Sequence, residues 1–184
     1  MGSAYERELK GILSGDPRVL ESVVRGCPDE QVLAYRRVLA QPFLVVRAAG
    51  SLGTGDLVAM RRDIAFPIEV KAAARDVLHF SESAGKLHEQ ALELAGACSR
   101  SGLIALYAFR RKGVRCDDAW RVFTLPAEGL EGRARILHAR LPKVSETAAG
   151  VFVLRWAEGM PLHKFIDSLC VAAPPSRVPI AVTA

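Results

Sequence analysis

The sequence predicts an α/β fold in which a mixed β-sheet of about five strands is flanked by α-helices. Helix signals dominate residues 3–39, and three strand-like runs follow between residues 43 and 70. A stretch with helical periodicity then precedes two further strand-like runs at 103–109 and 120–124. This order of elements is typical of a sheet with helices on its faces. Half of the 184 residues are hydrophobic, which is enough for a sizeable core.

Three helices are predicted at the start of the chain. Ser3 and Glu6 stand three residues apart, which is the capping-box pattern that begins a helix, and this helix is predicted to end near Gly15. Proline-containing helix starts predict two further helices at 18–25 and 30–39.

Two short apolar runs, at residues 57–60 and 64–70, follow a strand at 43–47. An Arg-Arg-Asp stretch joins the two runs, so we expect a β-hairpin. A hairpin brings the start of its first strand beside the end of its second, which places Asp56 next to Glu69. Residues two apart on a strand share a face, so Lys71 joins Glu69 while Val70 points into the core.

Two carboxylates and an ammonium group on one side of a sheet suit metal-assisted hydrolysis of a phosphodiester. Oxygen ligands such as Asp56 and Glu69 hold Mg²⁺, which polarises a phosphoryl oxygen and activates a bound water. Lys71 is placed to orient that water or to offset charge developing on the phosphate. The alternative is a solvated hairpin with a surface ion pair, which contributes little to stability.

The remaining elements are predicted from local patterns. They are a loop at 72–81, a helix at 83–101, a strand at 103–109, a basic turn at 110–118, a strand at 120–124, an irregular basic segment at 129–143, a strand at 151–156 and a helix at 162–169. We expect one domain over residues 1–170, with a core at about 2–125 and a C-terminal extension at 126–170. Residues 171–184 contain three prolines and are predicted to form a flexible tail.

Composition excludes several classes of protein. The four cysteines are scattered without the spacing of zinc ligands, so we expect no zinc site. No apolar run of 18 residues and no leader peptide is evident, which predicts a soluble, intracellular protein without membrane contact. The net charge is +5, and residues 100–184 carry 13 Lys or Arg against 7 Asp or Glu. A basic protein with a local carboxylate cluster suits a nucleic-acid backbone as partner.

These features together resemble the PD-(D/E)xK nuclease superfamily and, within it, the archaeal Holliday junction resolvases. The resemblance covers about residues 2–125, with a weaker similarity at 151–166. It rests on five segments in order: GSAYEREL at 2–9, LVVRA at 44–48, DLVA at 56–59, IEVK at 68–71 and LHEQA at 87–91. The resemblance implies a restriction-endonuclease-like fold and a nuclease domain.

The resemblance also implies a Mg²⁺ site, at which Mn²⁺ is able to substitute. The implied metal ligands are Glu6, Asp56, Glu69 and the backbone carbonyl of Val70. Lys71 becomes the catalytic lysine, and Ser51, in a small-residue loop, becomes a contact to the scissile strand. Glu6 is alternatively an ordinary capping glutamate, and Ser51 an ordinary loop residue.

Three departures from the family pattern stand out. Gly55 replaces the proline before the aspartate, and the loop between Arg47 and Asp56 is short and carries no basic residue. The separation between Glu6 and Leu44 exceeds the expected one by about two short helices, which bears on whether Glu6 reaches the metal.

The implied substrate is four-way junction DNA, and its two-fold symmetry suits a homodimer that makes paired symmetric cuts. Replication or recombination proteins are further implied partners, and a cytoplasmic, nucleoid-associated location follows. Candidate DNA contacts are Arg47, Arg61, Arg62, Arg75, Lys86, Gln90, Arg110, Arg111 and Lys112. We expect the dimer surface on Phe152, Leu154 and Trp156, or on the apolar face of the 83–101 helix.

Other functions stay open at this point. The same chemistry would serve an endonuclease that acts on duplexes, flaps or single strands. A non-catalytic junction-binding paralogue and a basic dimeric scaffold are the alternatives from other classes. Intact Asp56, Glu69 and Lys71 argue against both, since neither needs the carboxylates and the lysine together.

Overall fold

The computed structural model describes residues 3–48, 55–81 and 85–170. Its helices are α1 (Ala4–Leu13), α2 (Pro17–Val23), α3 (Asp29–Arg36), α4 (Lys86–Arg100), α5 (Gly132–Arg140) and α6 (Leu162–Cys170). Its strands are β1 (Leu44–Arg47), β2 (Leu57–Arg61), β3 (Ile64–Ala73), β4 (Val77–His79), β5 (Leu106–Arg111), β6 (Trp120–Thr124), β7 (Ser145–Glu146), β8 (Phe152–Arg155) and β9 (Met160–Pro161). No helix in these ranges is long and apolar enough to span a membrane.

A mixed sheet of six strands, in the order β1-β2-β3-β5-β6-β9, forms the centre of the fold. β3 and β5 run parallel, and each other neighbouring pair is antiparallel. The predicted α/β class is confirmed, with one strand more than expected. The predicted β2–β3 hairpin is also confirmed: Arg61 pairs with Ile64, and Arg62 in the turn has φ 56°.

The N-terminal helix begins as its sequence predicts. The Ser3 side chain accepts a hydrogen bond from the Glu6 backbone N–H, and the Glu6 side chain accepts one from the Ser3 backbone N–H. Such a reciprocal box satisfies N–H groups that have no partner inside the helix. The two following helices are shorter than predicted, and a 3₁₀ turn over Arg37–Leu39 extends the second of them.

Two segments predicted as irregular are regular. Residues 72–81 were expected to form a loop, but β3 continues to Ala73 and β4 follows. β4 pairs with β8 in a second sheet of three strands, so distant partners define it and not a local period. Residues 129–143 were expected to be irregular, but α5 occupies their centre. This helix buries only Leu137, so its apolar periodicity is weak.

Smaller differences concern the element ends. The strand predicted at 103–109 is β5, which starts three residues later and includes Arg110 and Arg111, so the turn after it is shorter than expected. The helices predicted at 83–101 and 162–169 are confirmed as α4 and α6, and the strand at 120–124 is confirmed as β6. The predicted tail at 171–184 lies outside the described residues.

Two hydrophobic cores lie on the two sides of the central sheet. The first joins α1, α3 and α6 to alternate residues of β2 and β3, and the second joins α4 and the small sheet to β5 and β6. Phe152 and Leu154 belong to the second core and are 5% and 0% exposed. The prediction that these two side chains form a dimer surface is therefore wrong, because the chain itself covers them. Ala91 and Leu94 on the apolar face of α4 are buried in the same core.

Candidate active site

The start of β2 is fixed against β3 by backbone contacts. The Asp56 backbone N–H donates to the Ile68 carbonyl at 2.9 Å, and the Val70 N–H donates to Asp56 Oδ2 at 2.8 Å. Leu57 pairs with Ile68, so Asp56 lies one step further along, opposite Glu69. The hairpin register predicted from the sequence thus brings the two carboxylates together.

The backbone conformation at Gly55 explains why no proline stands at this position. Its φ is +87°, a conformation that proline cannot adopt. A Cβ here would lie 2.9 Å from the Ile68 carbonyl oxygen and 3.1 Å from its carbon. Glycine therefore lets the loop approach β3 closely enough for the Asp56 contacts to form.

Glu69 and Lys71 lie on the same face of β3, as their spacing predicts. Lys71 Nζ is 2.7 Å from Glu69 Oε1, and each side chain is 16% exposed. The side chains of a solvated surface ion pair would be far more exposed than this, so the structure does not match the alternative of a solvated hairpin with a surface ion pair. Val70 between them packs partly against the first core.

Glu6 reaches the same place from α1. A cleft of about 360 Å³ is lined by both carboxylates of the hairpin, by Lys71 and by Glu6. Glu6 remains the capping residue of α1, and its Oε2 lies 3.4 Å from the guanidinium of Arg47. The capping interpretation of Glu6 is therefore confirmed, and its role as a metal ligand stays a prediction. We call this depression the carboxylate cleft, defined by Glu6, Asp56 and Glu69.

The electrostatics of the cleft disfavour its negative charge. Burial raises the pKa of Asp56, and the carboxylates of Glu69 and Glu6 add to the effect. The Val70 N–H and the Lys71 ammonium oppose it without cancelling it. Burial, together with Glu69 and Asp56, also raises the pKa of the Tyr107 phenol far above its ordinary range.

The donor atoms of the cleft fit a hard cation. In the described ranges no three His, Cys, Asp or Glu side chains are grouped closely enough to hold a metal ion by themselves. Mg²⁺ uses one or two carboxylates and completes its shell with water and substrate phosphate. The adjacent carboxylates of Asp56 and Glu69 match that requirement. The four-ligand set that includes Glu6 and the Val70 carbonyl stays a prediction.

The other predicted site residues fall in different places. Ser51 lies outside the described residues. Gln90 is exposed on α4 and does not line the carboxylate cleft. Arg61 stands at the far end of the hairpin from Asp56, where it donates to the Gln41 carbonyl.

Among the basic candidates, Lys112 is the one that lines the cleft. Arg47 and Arg110 lie beside it, each paired with a glutamate of α1. Arg111 pairs with Asp76 at 2.5 Å. The others do not line the cleft: Arg62 lies in the hairpin turn, Arg75 after β3 and Lys86 at the start of α4.

Tyr5 is a residue of the cleft that the motifs did not single out. The Arg110 guanidinium lies 5.0 Å and the Lys112 ammonium 5.7 Å from the centre of its ring. The ring thus holds two cations at the rim of the cleft through cation–π contacts. The only sequence signal for it is its position next to Glu6.

Comparisons with known proteins give structural likenesses and no sequence match. No protein-family model matches the chain, and no curated protein matches it in sequence. Among solved structures it is similar to Hjc, a Holliday junction resolvase from the archaeal hyperthermophile Archaeoglobus fulgidus. The TM-score is 0.47 and the identity 17%, over 75% of this chain and 94% of that chain. A likeness of this size does not assign a function, so we rely on the geometry of the cleft.

Proposed function

We propose that the protein is a Mg²⁺-dependent endonuclease that resolves four-way DNA junctions by paired hydrolysis of phosphodiester bonds. The observation that carries this proposal is the meeting of Asp56 and Glu69 across two strands, with Lys71 on the same face. A phosphate group and a divalent cation both suit a half-buried site of this kind, which combines two adjacent carboxylates with one ammonium group.

Each side chain has a defined role in the proposal. Asp56 and Glu69 hold the cation, with Glu6 and the Val70 carbonyl as further ligands. The bound ion supplies Lewis acidity toward the phosphoryl oxygen and lowers the pKa of a bound water. Lys71 donates hydrogen bonds to the attacking water or to the phosphate, where negative charge develops. A bound cation would also offset the burial and the repulsion by Glu69 that raise the Asp56 pKa.

The rim of the carboxylate cleft supports a nucleic-acid substrate. Lys112, Arg110 and Arg47 surround carboxylates that a cation would neutralise, so the loaded site is positive overall. Contacts of this kind bind the backbone without reading sequence. A homodimer would present two such sites to the two strands of like polarity in a junction.

Cleavage of a synthetic immobile four-way junction tests the proposal. The wild type and Asp56→Asn are compared in Mg²⁺ and in EDTA, with matched linear duplex and flap substrates. Asp63→Asn is the matched control, because Asp63 is an exposed aspartate at the opposite end of the same hairpin. We expect symmetric nicks from the wild type and the control in Mg²⁺, none in EDTA, and none from Asp56→Asn.

Other outcomes select among the alternatives. Equal cutting of duplex or flap would indicate a PD-(D/E)xK endonuclease with a different substrate. Tight junction binding without cutting under all conditions would indicate a non-catalytic paralogue. Cutting by Asp56→Asn at the wild-type rate would refute the assignment of the site.

A further inference from the structure

A second cleft, of about 550 Å³, lies between the α2–α3 connection and the turn joining β5 to β6. Its polar lining consists of Glu8, Ser22, Arg25, Arg110, Arg115 and Asp117. We call it the arginine cleft. One wall comes from the end of α2 and the connection that follows it, within the segment that lengthens the chain between Glu6 and Leu44.

The arginine cleft adjoins the carboxylate cleft. Tyr5 and Glu8 lie one turn apart on α1, about 4.5 Å along the helix axis, and each lines one of the two clefts. Arg110 pairs with Glu8 and lies over Tyr5, so it bridges them. A chain of phosphates that leaves the carboxylate cleft at this side therefore meets the arginine cleft next.

The acidic groups of the arginine cleft are already engaged. Glu8 Oε1 accepts from Arg110 Nε at 2.8 Å and from the Trp120 indole N–H at 2.8 Å. Asp117 Oδ1 accepts from Gln31 at 2.6 Å and from the Asp118 backbone N–H at 2.8 Å. The Gln31 hydrogen bond is the main cause of the lowered pKa of Asp117, which stays ionised.

The side chains of Arg25 and Arg115, unlike these acidic groups, still have their hydrogen-bond donors available. Both are exposed, and neither has an ion pair or hydrogen bond within the described part of the chain. Their guanidinium groups face a shared cleft from two different elements. Planar guanidinium groups with free N–H donors are suited to phosphate oxygens.

The two walls of the cleft are held together by direct contact. Gly26 has φ +79°, and a Cβ on it would lie 3.1 Å from Cys116 Sγ. The Gln31 side chain crosses the same boundary to Asp117. The backbone positions of Arg25 and Arg115 are therefore fixed relative to each other across the cleft.

We propose that the arginine cleft binds backbone phosphates of the DNA substrate next to the segment held in the carboxylate cleft. This inference rests on the proposed function. Arg25 and Arg115 touch phosphates that are not cleaved, so they contribute to substrate affinity and leave the chemical step unchanged.

The test compares two double variants of the full chain. Arg25→Gln/Arg115→Gln removes both guanidinium groups that face the cleft. Arg135→Gln/Arg140→Gln is the control and makes the same charge change at exposed positions of α5. Junction affinity is measured by fluorescence anisotropy in EDTA between 50 and 200 mM salt, about the range over which phosphate contacts dominate. Single-turnover cleavage in Mg²⁺ is then measured with the protein in excess over DNA and at a saturating concentration.

We expect the cleft variant to bind about tenfold to fiftyfold more weakly than the control at low salt. Its salt dependence, as log K against log salt, should be shallower by about 1.8, since each lost phosphate contact removes about 0.9. The maximal cleavage rate should equal that of the control.

If the wild type binds and cuts DNA, but the cleft variant has the same affinity and salt slope as the control, this inference is overturned and the proposed function is not. A fall in the maximal rate with unchanged affinity would overturn it too, because the arginines would then act on the chemical step or on the fold. A wild type that neither binds nor cuts DNA would refute the proposed function, and this inference with it.

Discussion

Gly55 gives the sharpest test of how the fold positions the candidate site. Gly55→Ala adds a Cβ where φ is +87° and where the Ile68 carbonyl oxygen is 2.9 Å away. Backbone atoms of β3 cannot swing aside as a flexible side chain does. Gly129→Ala is the matched control, because Gly129 has φ +70° with nothing within 4 Å of the added Cβ.

Both variants have the cost of a Cβ at positive φ, and only Gly55→Ala has the further cost of steric overlap with β3. Holding a residue with a Cβ at positive φ costs about 1–2 kcal/mol, and the stiffer unfolded chain of the alanine variant offsets about 0.4–1 kcal/mol of that. Gly129→Ala should therefore lose about 1 kcal/mol of unfolding free energy. Forced overlap adds about 1–3 kcal/mol at Gly55. At about 2–4 °C per kcal/mol, we expect Tm to fall by about 4–16 °C for Gly55→Ala and about 2–4 °C for Gly129→Ala.

Thermal unfolding followed by circular dichroism in EDTA measures these shifts, and cleavage in Mg²⁺ measures the consequence for the site. Gly55→Ala must push Asp56 away from β3, so its cleavage rate should fall well below that of Gly129→Ala. Equal losses of Tm in the two variants would refute the reasoning, since positive φ alone would then account for the glycine.

Three further predictions concern single charges. Asp56→Asn should raise Tm by about 2 °C. Folding raises the pKa of Asp56, so the folded wild type binds this proton more tightly than the unfolded chain does. The stability of the wild type therefore falls as the pH rises above 3.8, the ordinary pKa of an aspartate, and the variant is spared this loss. The advantage of the variant should vanish in acid and in saturating Mg²⁺, and an advantage independent of pH would contradict this account. Lys71→Met should lower the maximal cleavage rate about 10²–10³-fold with little change in DNA affinity, and a pure loss of affinity in a cleavage titration would argue for a binding role instead. Asp118→Asn should cost about 3–5 kcal/mol in urea unfolding, because this carboxylate is 1% exposed and its Oδ2 lies 2.8 Å from Nδ1 of the buried His163 ring. It also accepts hydrogen bonds from Tyr35 Oη at 2.7 Å and from the Trp120 N–H at 2.8 Å. A loss under 1 kcal/mol would show that the amide satisfies the same donors.

The hairpin and its carboxylates could be predicted from sequence because their arrangement is local. A short turn between two apolar runs fixes the register, and the register fixes that Asp56 faces Glu69. The pairing of Lys71 with Glu69 follows from the two-residue period of a strand. Nothing beyond residues 55–71 is needed for this part of the site.

The features that were missed depend on distant partners. β4 exists because it pairs with β8, more than 70 residues later, and its three residues contain no period to detect. α5 is basic and mostly exposed, so its sequence carries little of the amphipathic pattern. The arginine cleft combines two turns that are about 90 residues apart, and no local pattern links Arg25 to Arg115.

The position of Glu6 shows why a capping pattern and a functional site need not compete. A capping box fixes the side chain at the first turn of a helix, and α1 directs that turn at the end of β3. The residue that stabilises the helix start thereby becomes a third carboxylate in the cleft. Asp56 and Glu69 are already crowded, and Lys71 compensates one charge directly. A sequence selected for stability alone would replace one of these acids, since the raised Asp56 pKa records an unfavourable interaction. A divalent cation bound between these carboxylates would offset their unfavourable charge, which is the physical reason for proposing a metal site here and not a surface ion pair.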